Sequence, residues 1–140
     1  MPDRFEMTVP SDLANLARIA EFVTDAALRL GLTEQQAFEV QMATDEACAN
    51  IVEHAYGLGV PGSIGVACEM EGDDLVVTIR DRGRPFNANQ VPTPDVTGPL
   101  EDRRIGGLGL YFMRKLMDRV VFHHDAQGGN ELRMYKRRSP

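Results

Sequence analysis

Cysteine, long apolar segments and excess positive charge are all scarce in this sequence of 140 residues. Only two cysteines are present, Cys48 and Cys68, and their spacing matches neither a metal-binding motif nor a redox motif. Both lie in apolar surroundings, so we expect two small core side chains rather than a disulfide. The scarcity of cysteine therefore argues against a zinc-binding protein and against a small domain held together by disulfides.

No apolar run is long enough to span a membrane, and the first twelve residues, MPDRFEMTVPSD, are too charged and interrupted for a signal peptide. The sequence therefore predicts a cytoplasmic protein that has no membrane partner. Positive charge is scarce too, because 15 lysines and arginines accompany 21 acidic residues and the formal net charge is -6. That balance disfavours direct binding to nucleic acid, and the short basic segment YKRRSP is expected to be a solvated tail.

The remaining composition is that of a soluble globular protein, with 43% hydrophobic and 26% charged residues. A chain of this length can bury a substantial core, and it contains neither internal repeats nor a low-complexity tract. We therefore expect a single domain that covers residues 1–140.

Apolar periodicity and turn residues predict the order of secondary structure along the chain. The expected elements are a strand at 4–9, a helix from Ser11 to about Leu30, a helix from Glu34 to about Tyr56, strands at 63–70 and 74–81, a helix at 106–118, and strands at 119–125 and 130–136. This order predicts an α+β fold, in which helices cover one face of a mixed, mostly antiparallel sheet to give a two-layer sandwich.

Helix starts and one long connection can also be located. Ser11 is expected to cap the first helix, and Thr33 followed by Gln36 predicts a capping box for the second. The apolar face expected for the first helix consists of Leu13, Leu16, Ala17, Ala20, Val23, Ala27 and Leu30. The segment 82–105 has no periodicity and is rich in Pro, Gly, Asn and Asp. Connections of this length inside a compact domain are usually functional or mobile.

The first candidate functional segment is DEACANIVEHAY, which runs from Asp45 to Tyr56. A four-residue step rotates only about 40° around an α-helix, so Glu46, Asn50 and His54 should share one ridge. A carboxylate there can accept a proton from a hydroxyl group, and the amide oxygen one turn later is a suitable ligand for Mg²⁺. Polar residues on a helix edge are more often simply solvated, so this segment alone predicts no function.

The second candidate segment is RDRGRPF, in which Asp81 ends an apolar strand and Gly83 follows two residues later. An acidic residue at this position often does no more than terminate the strand. A carboxylate held on a rigid strand can also accept a hydrogen bond from the exocyclic amine of adenine. Gly83 would then let the main chain approach the ring, and Phe86 could form a wall of the pocket.

The third candidate segment is GGLG, from Gly106 to Gly109, at the start of a predicted helix. Glycines there let main-chain N–H groups point toward an anion, and the helix N-terminus adds positive potential. A dinucleotide-binding fingerprint is a poor match, because the preceding segment PLEDRRI is charged and is not a strand. A P-loop is also a poor match, because no Gly-Lys-Ser/Thr follows.

In their order along the chain, the three segments resemble a known family. A helix ridge with glutamate and asparagine, a strand ending in Asp-x-Gly, a long loop and a glycine-rich helix start resemble the N, G1 and G2 boxes of the GHKL ATPase superfamily. This resemblance, which implies the Bergerat fold, covers nearly the whole chain. The segments DEACANIVEHAY, DRGRPF and GGLGLYFMRKLMD are most similar to those of the bacterial anti-sigma factor serine kinases.

The resemblance implies ATP and Mg²⁺ as cofactors. Asp81 would accept a hydrogen bond from the adenine amine, Asn50 would ligate Mg²⁺, and Glu46 would be the general base. The loop at about 87–105 would form a lid over the nucleotide. The implied nucleotide-binding residues are Asn50, His54, Asp81, Gly83, Phe86, Gly106, Gly107, Leu108, Gly109, Leu110 and Asn130.

The sequence also departs from the family pattern, and one group is still missing. Pro85 stands where many members have the second glycine of Asp-x-Gly-x-Gly, and Gly129-Asn130 stands in place of a Gly-Thr pair. The second departure places the last adenine contact in doubt. Phosphoryl transfer usually needs a further cation, for which Arg18 and Arg104 are the candidates.

The function that the resemblance implies is regulatory. The protein would sequester a sigma factor and phosphorylate a serine of an anti-anti-sigma (STAS) partner, and it would act as a homodimer. The helical phosphoacceptor hairpin of sensor histidine kinases has no counterpart in the sequence. Two alternatives remain open: a binding module that acts by sequestration alone, and an adenine-nucleotide hydrolase that uses water in place of the serine. The sequence does not identify the sigma factor or the antagonist.

Overall fold

A computed structural model of the protein describes residues 3–84, 107–125, 127 and 129–139. The strands are β1 (Arg4–Pro10), β2 (Ser63–Glu71), β3 (Asp74–Asp81), β4 (Arg119–Asp125) and β5 (Gly129–Arg137). The helices are a 3₁₀ turn (Leu13–Asn15), α1 (Leu16–Arg29), α2 (Glu34–Asn50), a π-helix (Ile51–Gly57) and α3 (Gly107–Leu116). None of the helices in these ranges has the length and apolar character needed to cross a membrane.

A five-stranded sheet forms one layer of the molecule. Its strand order is β1-β2-β3-β5-β4, and each pair of neighbouring strands is antiparallel. Short turns join β2 to β3 and β4 to β5, and two strands joined by a hairpin turn can only pair antiparallel. The predicted α+β sandwich with a mostly antiparallel sheet is therefore confirmed, and among the described residues no parallel pair is present.

The helices form the second layer and cover one face of the sheet. Side chains alternate between the two faces of a strand, so every second residue meets the helices. Two rows of opposed apolar side chains cross β3, β5 and β4 on that face: Val77, Met134 and Val120, and then Ile79, Leu132 and Phe122. Cys48 of α2 and Cys68 of β2 are buried in the same core as free thiols, as predicted.

The start of the first helix differs from the prediction. Asp12, rather than Ser11, is the capping residue, because its side chain accepts a hydrogen bond from the N–H of Ala14 at 2.9 Å. The 3₁₀ turn that follows has three residues per turn, so it changes the angle at which the apolar face enters α1. Leu13 is therefore exposed rather than buried. The buried residues of α1 are Ile19, Val23, Ala26 and Ala27.

The second helix begins as predicted but does not remain α-helical. Thr33 and Gln36 form the expected capping box through reciprocal hydrogen bonds between side chain and main chain. The α-helix ends at Asn50, and a π-helix continues to Gly57. A π-helix is bonded from residue i to i+5, so each turn is wider than an α-helical turn. His54 therefore lies in a π-helix rather than in the α-helix that carries Glu46 and Asn50, and the shared ridge of the three side chains stays a prediction.

The third helix packs against α2 and the sheet. Leu110, Met113 and Met117 are buried, as the apolar spacing of this segment predicts. The first turn of α3 lies beside the C-terminal end of α2, and this packing positions it next to Glu46 and Asn50 on the polar edge of α2.

Candidate functional site

A polar row crosses the sheet where the two apolar rows end. Asp81 on β3 lies opposite Asn130 on β5, and Asn130 lies opposite His124 on β4. Along its strand, each of these three residues lies two positions from an apolar residue whose side chain faces the helices. Their side chains therefore project from the same face, toward the helices. Asp81 is buried, with only 8% of its surface exposed.

Hydrogen bonds hold one oxygen of Asp81 from two directions. Its Oδ1 accepts from the main-chain N–H of Gly83 at 2.8 Å and from Nδ2 of Asn130 at 2.8 Å. The same Nδ2 donates to the carbonyl oxygen of Gly83 at 2.9 Å. Asn130 Oδ1 lies 2.8 Å from Nδ1 of His124. The hydrogen bonds that the described residues make to the Asp81 carboxylate therefore both go to Oδ1.

The turn that follows β3 packs tightly against the end of the π-helix. A Cβ atom at Gly83 would lie 2.6 Å from the carbonyl carbon and oxygen of Ala55, so only glycine fits there. The next residue, Arg84, donates its N–H to the Ala55 carbonyl at 2.7 Å. The Tyr56 hydroxyl accepts from the N–H of Arg82 at 2.7 Å. The close approach that Gly83 permits within the described structure is therefore to the main chain of Ala55.

The start of α3 faces the polar edge of α2. A Cβ atom at Gly109 would lie 3.1 Å from Oε2 of Glu46 and 3.2 Å from Nδ2 of Asn50. The missing side chain of this glycine therefore lets the first turn of α3 lie close against a carboxylate and a carboxamide of α2. Two of the three segments singled out in the sequence, which are separated by 49 residues along the chain, meet at this point.

Glu46 also lines an open groove of about 1180 Å³ between α1 and α2. Arg18, one of the two candidate cations, lines the same groove, and its guanidinium donates to Oδ1 of Asn15 at 3.2 Å. Asp45 lies beside Glu46 in the groove lining. Burial raises the pKa of Asp45, a hydrogen bond with Gln41 opposes this shift, and the charge of Glu46 adds to it.

Not every predicted site residue is brought into this arrangement. His54 is exposed in the π-helix, where its Nε2 lies 3.9 Å from Oε2 of Glu53 and its carbonyl oxygen accepts from Arg84 at 3.0 Å. Gly107 begins α3, and the side chain of Leu110 is buried in the core, so only its main chain can face a ligand. Phe86, Gly106, Arg104, Pro85, the side chain of Leu108 and the lid segment 87–105 lie outside the described residues.

Two residues that contribute to the site were missed in the sequence. His124 is two residues beyond the apolar Phe122 on the same strand. Because side chains alternate along a strand, the face of the sheet on which His124 lies could have been predicted. Its pairing with Asn130 depends on how β4 and β5 align. The contact of Tyr56 with the turn after β3 has no local signal, because it depends on how the π-helix ends.

The sequence is similar to those of known proteins over most of its length. Residues 9–136 match the model of a family described as the histidine kinase-like ATPase domain. The chain is 32% identical over 129 residues to a serine-protein kinase RsbW from Halalkalibacterium halodurans, which covers 89% of this chain and 78% of that protein. It is also 32% identical over 127 residues to the serine-protein kinase RsbW of Bacillus cereus strain Q1, covering 88% of this chain and 79% of the relative.

A solved structure gives independent support for the fold. The crystal structure of the RsbU and RsbW domains of Rv1364c from Mycobacterium tuberculosis matches 99% of this chain with a TM-score of 0.71 and 20% sequence identity. The match spans 33% of that longer chain, so it is a likeness to one part of it. The family match and the 32% identical relatives show the family directly. The chain belongs to the histidine kinase-like ATPase domain family of the GHKL superfamily, in its RsbW group.

Proposed function

We propose that this protein is an ATP-dependent protein-serine kinase that acts as an anti-sigma factor. The observation that carries the proposal is the close approach of Glu46 and Asn50 to Gly109 in the first turn of α3. A carboxylate, a carboxamide and a helix start are the three groups that a phosphoryl-transfer site in this family requires. The names of the 32% identical relatives, serine-protein kinase RsbW, support the same reaction.

The base of the nucleotide is assigned to the turn after β3. Asp81 Oδ2 accepts a hydrogen bond from the exocyclic amine of adenine, because Oδ1 is already held by two donors. Gly83 stands beside Asp81, and Phe86 is proposed to form a wall of the pocket. A carboxylate whose first oxygen is fixed by two donors can present its second oxygen as the acceptor for a donor on the base.

The phosphates are assigned to the start of α3. The main-chain N–H groups of the segment from Gly106 to Leu110 would bind the phosphate anion at the helix N-terminus, where the helix dipole adds positive potential. The absent Cβ of Gly109 lets this turn approach Glu46 and Asn50 closely. Asn50 would hold Mg²⁺ through its amide oxygen, a ligand type that this cation accepts. Bound Mg²⁺ would neutralise charge on the phosphates. His54 is assigned to the neighbourhood of the phosphates or ribose.

Glu46 is assigned as the general base. It would accept the proton of a partner's serine hydroxyl as that oxygen attacks the γ-phosphate and ADP leaves. The carboxylate is exposed on the groove between α1 and α2, so a serine-bearing segment can reach it from solvent. Arg18 lines the same groove and is the candidate cation that the described residues contain.

The proposal extends to the partners and the setting. The protein would sequester a sigma factor, phosphorylate a serine of an anti-anti-sigma (STAS) protein, act as a homodimer and reside in the cytoplasm. Residues 87–105 would close over the nucleotide as a lid, and the whole chain would be one ATP-binding domain. A purely structural binding module would not need Glu46 and Asn50 to face the same glycine.

The experiment that tests the kinase is a transfer assay with matched variants. The purified protein is incubated with radiolabelled Mg-ATP and each STAS-domain protein of its host, and phosphoserine is measured. We expect transfer by the unmodified protein and its loss in Glu46→Gln. Glu34→Gln is the control, because Glu34 is an exposed glutamate at the other end of α2. Phosphate release without a partner would instead indicate the hydrolase.

A binding measurement separates the remaining outcomes. At a hundred times its Kd, Mg-ATP should stabilise the protein by about 2.7 kcal/mol, which thermal unfolding detects. Stabilisation without transfer to any STAS protein would reject the kinase and leave sequestration alone. No stabilisation by any adenine nucleotide would reject the nucleotide site as well.

A further inference from the structure

We propose that Asn130 and His124 form a positioning pair that sets the orientation of Asp81, and that Asn130 acts through Asp81 rather than by touching the base. The inference rests on the proposed adenine site and goes beyond it by assigning a role to His124. The three residues lie opposite one another on adjacent strands and share one face of the sheet. Their hydrogen bonds run in series from His124 to Asn130 to Asp81.

Both N–H donors of Asn130 are used within the protein. A side-chain amide has two N–H donors and one carbonyl oxygen. The two donors of Asn130 are directed at Asp81 Oδ1, 2.8 Å away, and at the Gly83 carbonyl, 2.9 Å away. Its oxygen lies 2.8 Å from the His124 ring. With no donor left for a ligand, Asn130 cannot donate a hydrogen bond to a ring nitrogen of adenine in this arrangement.

The orientation of the amide also fixes the proton on the histidine. Nδ2 of Asn130 must face Asp81 and Gly83, because both partners there are acceptors. Oδ1 therefore faces His124, and an amide oxygen can only accept. Nδ1 of His124 must then carry a hydrogen, which defines its tautomer. His124 thus prevents the side-chain amide of Asn130 from rotating, a rotation that would turn its Oδ1 toward the Asp81 carboxylate.

The consequence for the site is a fixed carboxylate. Asn130 and the N–H of Gly83 both bind Oδ1 of Asp81, so the carboxylate cannot rotate without breaking two hydrogen bonds. Oδ2 is then the oxygen presented to the ligand in a constant direction. Such preorganisation improves affinity for a ligand that donates a hydrogen bond at that point. The preference for an amino group over a carbonyl group on the purine ring should therefore depend on Asn130 and His124.

Base preference is the readout that a merely structural role would not change. ATP and inosine triphosphate differ in the group at the position of the exocyclic amine, which is a carbonyl in inosine. We expect Asn130→Ala to weaken ATP binding about tenfold, the loss of a hydrogen bond to a charged group, and to leave inosine triphosphate binding within about twofold. The ratio of the two dissociation constants, measured by calorimetry, should fall accordingly.

Variants of His124 show whether the pair needs a hydrogen-bond donor at this position or only a side chain of similar size. Asn at this position can place an N–H near the location of Nδ1, so His124→Asn should keep the wild-type ratio. His124→Asp offers only acceptors at neutral pH, so it should repel Oδ1 of Asn130, turn the amide and lower the ratio about tenfold. His123→Ala is the control, because His123 is the neighbouring exposed histidine and projects from the opposite face of β4. Equal ratios in His124→Asn and His124→Asp would overturn the proposal.

A second measurement does not depend on the nucleotide. Nitrogen-15 NMR of the free protein should show the Nδ1–H tautomer for His124, and Asn130→Ala should abolish that preference. Finding Nε2–H instead would refute the positioning pair even if adenine binds. A different outcome would be that His124 has the expected tautomer but the wild-type protein binds ATP and inosine triphosphate equally well. That outcome would reject the adenine assignment and the role given to this pair. It would leave the hydrogen bonds themselves intact, so the two failures are distinguishable.

Discussion

Gly129 is the position at which one added methyl group should damage both the fold and the candidate site. It begins β5 with φ +88°, a conformation that residues with a Cβ atom rarely adopt. A Cβ atom there would lie 2.5 Å from the carbonyl oxygen of Asp81 and 3.1 Å from Cγ of Arg82. The first contact is with the main chain, so it cannot be relieved by a change of side-chain rotamer.

The expected cost has two parts, and a second glycine isolates them. The left-handed conformation alone costs about 1–2 kcal/mol for a non-glycine residue. Moving main chain to relieve an overpacked contact adds about 1–3 kcal/mol. Gly72 has φ +62° and no atom within 4 Å of its Cβ position, so Gly72→Ala carries only the first part. Gly129→Ala should therefore destabilise the protein by about 2–5 kcal/mol, against about 1–2 kcal/mol for the control.

Urea denaturation measures both free energies, and nucleotide titration follows the site. Because the atom displaced at Gly129 belongs to Asp81, we expect Gly129→Ala to weaken ATP binding under conditions in which the variant is still folded. Gly72→Ala should leave ATP binding unchanged. If the two variants are destabilised equally, the close contact has no energetic consequence and the reasoning from the carbonyl oxygen fails.

Three further variants or treatments test the core and the electrostatics. Burial raises the pKa of both Cys48 and Cys68 to about 12, so a thiol reagent at pH 8 should label them only as fast as the protein unfolds. Rapid labelling of the folded protein would contradict this. Met134→Ala should cost about 2–5 kcal/mol in urea denaturation, because the side chain is fully buried, and a loss below 1 kcal/mol would contradict close packing there. Burial raises the pKa of Asp45, so ionisation opposes folding as pH rises through the folded-state pKa. Asp45→Asn should therefore stabilise the protein at pH 7 by about 0.5 kcal/mol, a small gain because the half-exposed charge is screened, and should give no gain below the ordinary pKa of aspartate. An equal gain at both pH values would refute this origin.

Much of the fold could be predicted because its signals are local. The capping box at Thr33 and Gln36, the hairpin between β2 and β3, and the buried face of α3 each depend on residues within a few positions of one another. Periodicity fails where the backbone changes type. The 3₁₀ turn after Asp12 and the π-helix after Asn50 alter the number of residues per turn, so Leu13 is exposed and His54 lies outside the predicted α-helix.

The chain's own order of residues determined which polar groups are available: an acid at the end of a strand, a glutamate and an amide one helical turn apart, and glycines before a helix. Only the tertiary structure decided how they pair. The hydrogen bond between Asp81 and Asn130 joins residues 49 apart along the chain, and it exists because β3 and β5 align at that register. Side chains reverse their faces when a strand shifts by one residue, so a contact across strands is decided by the register of the whole sheet.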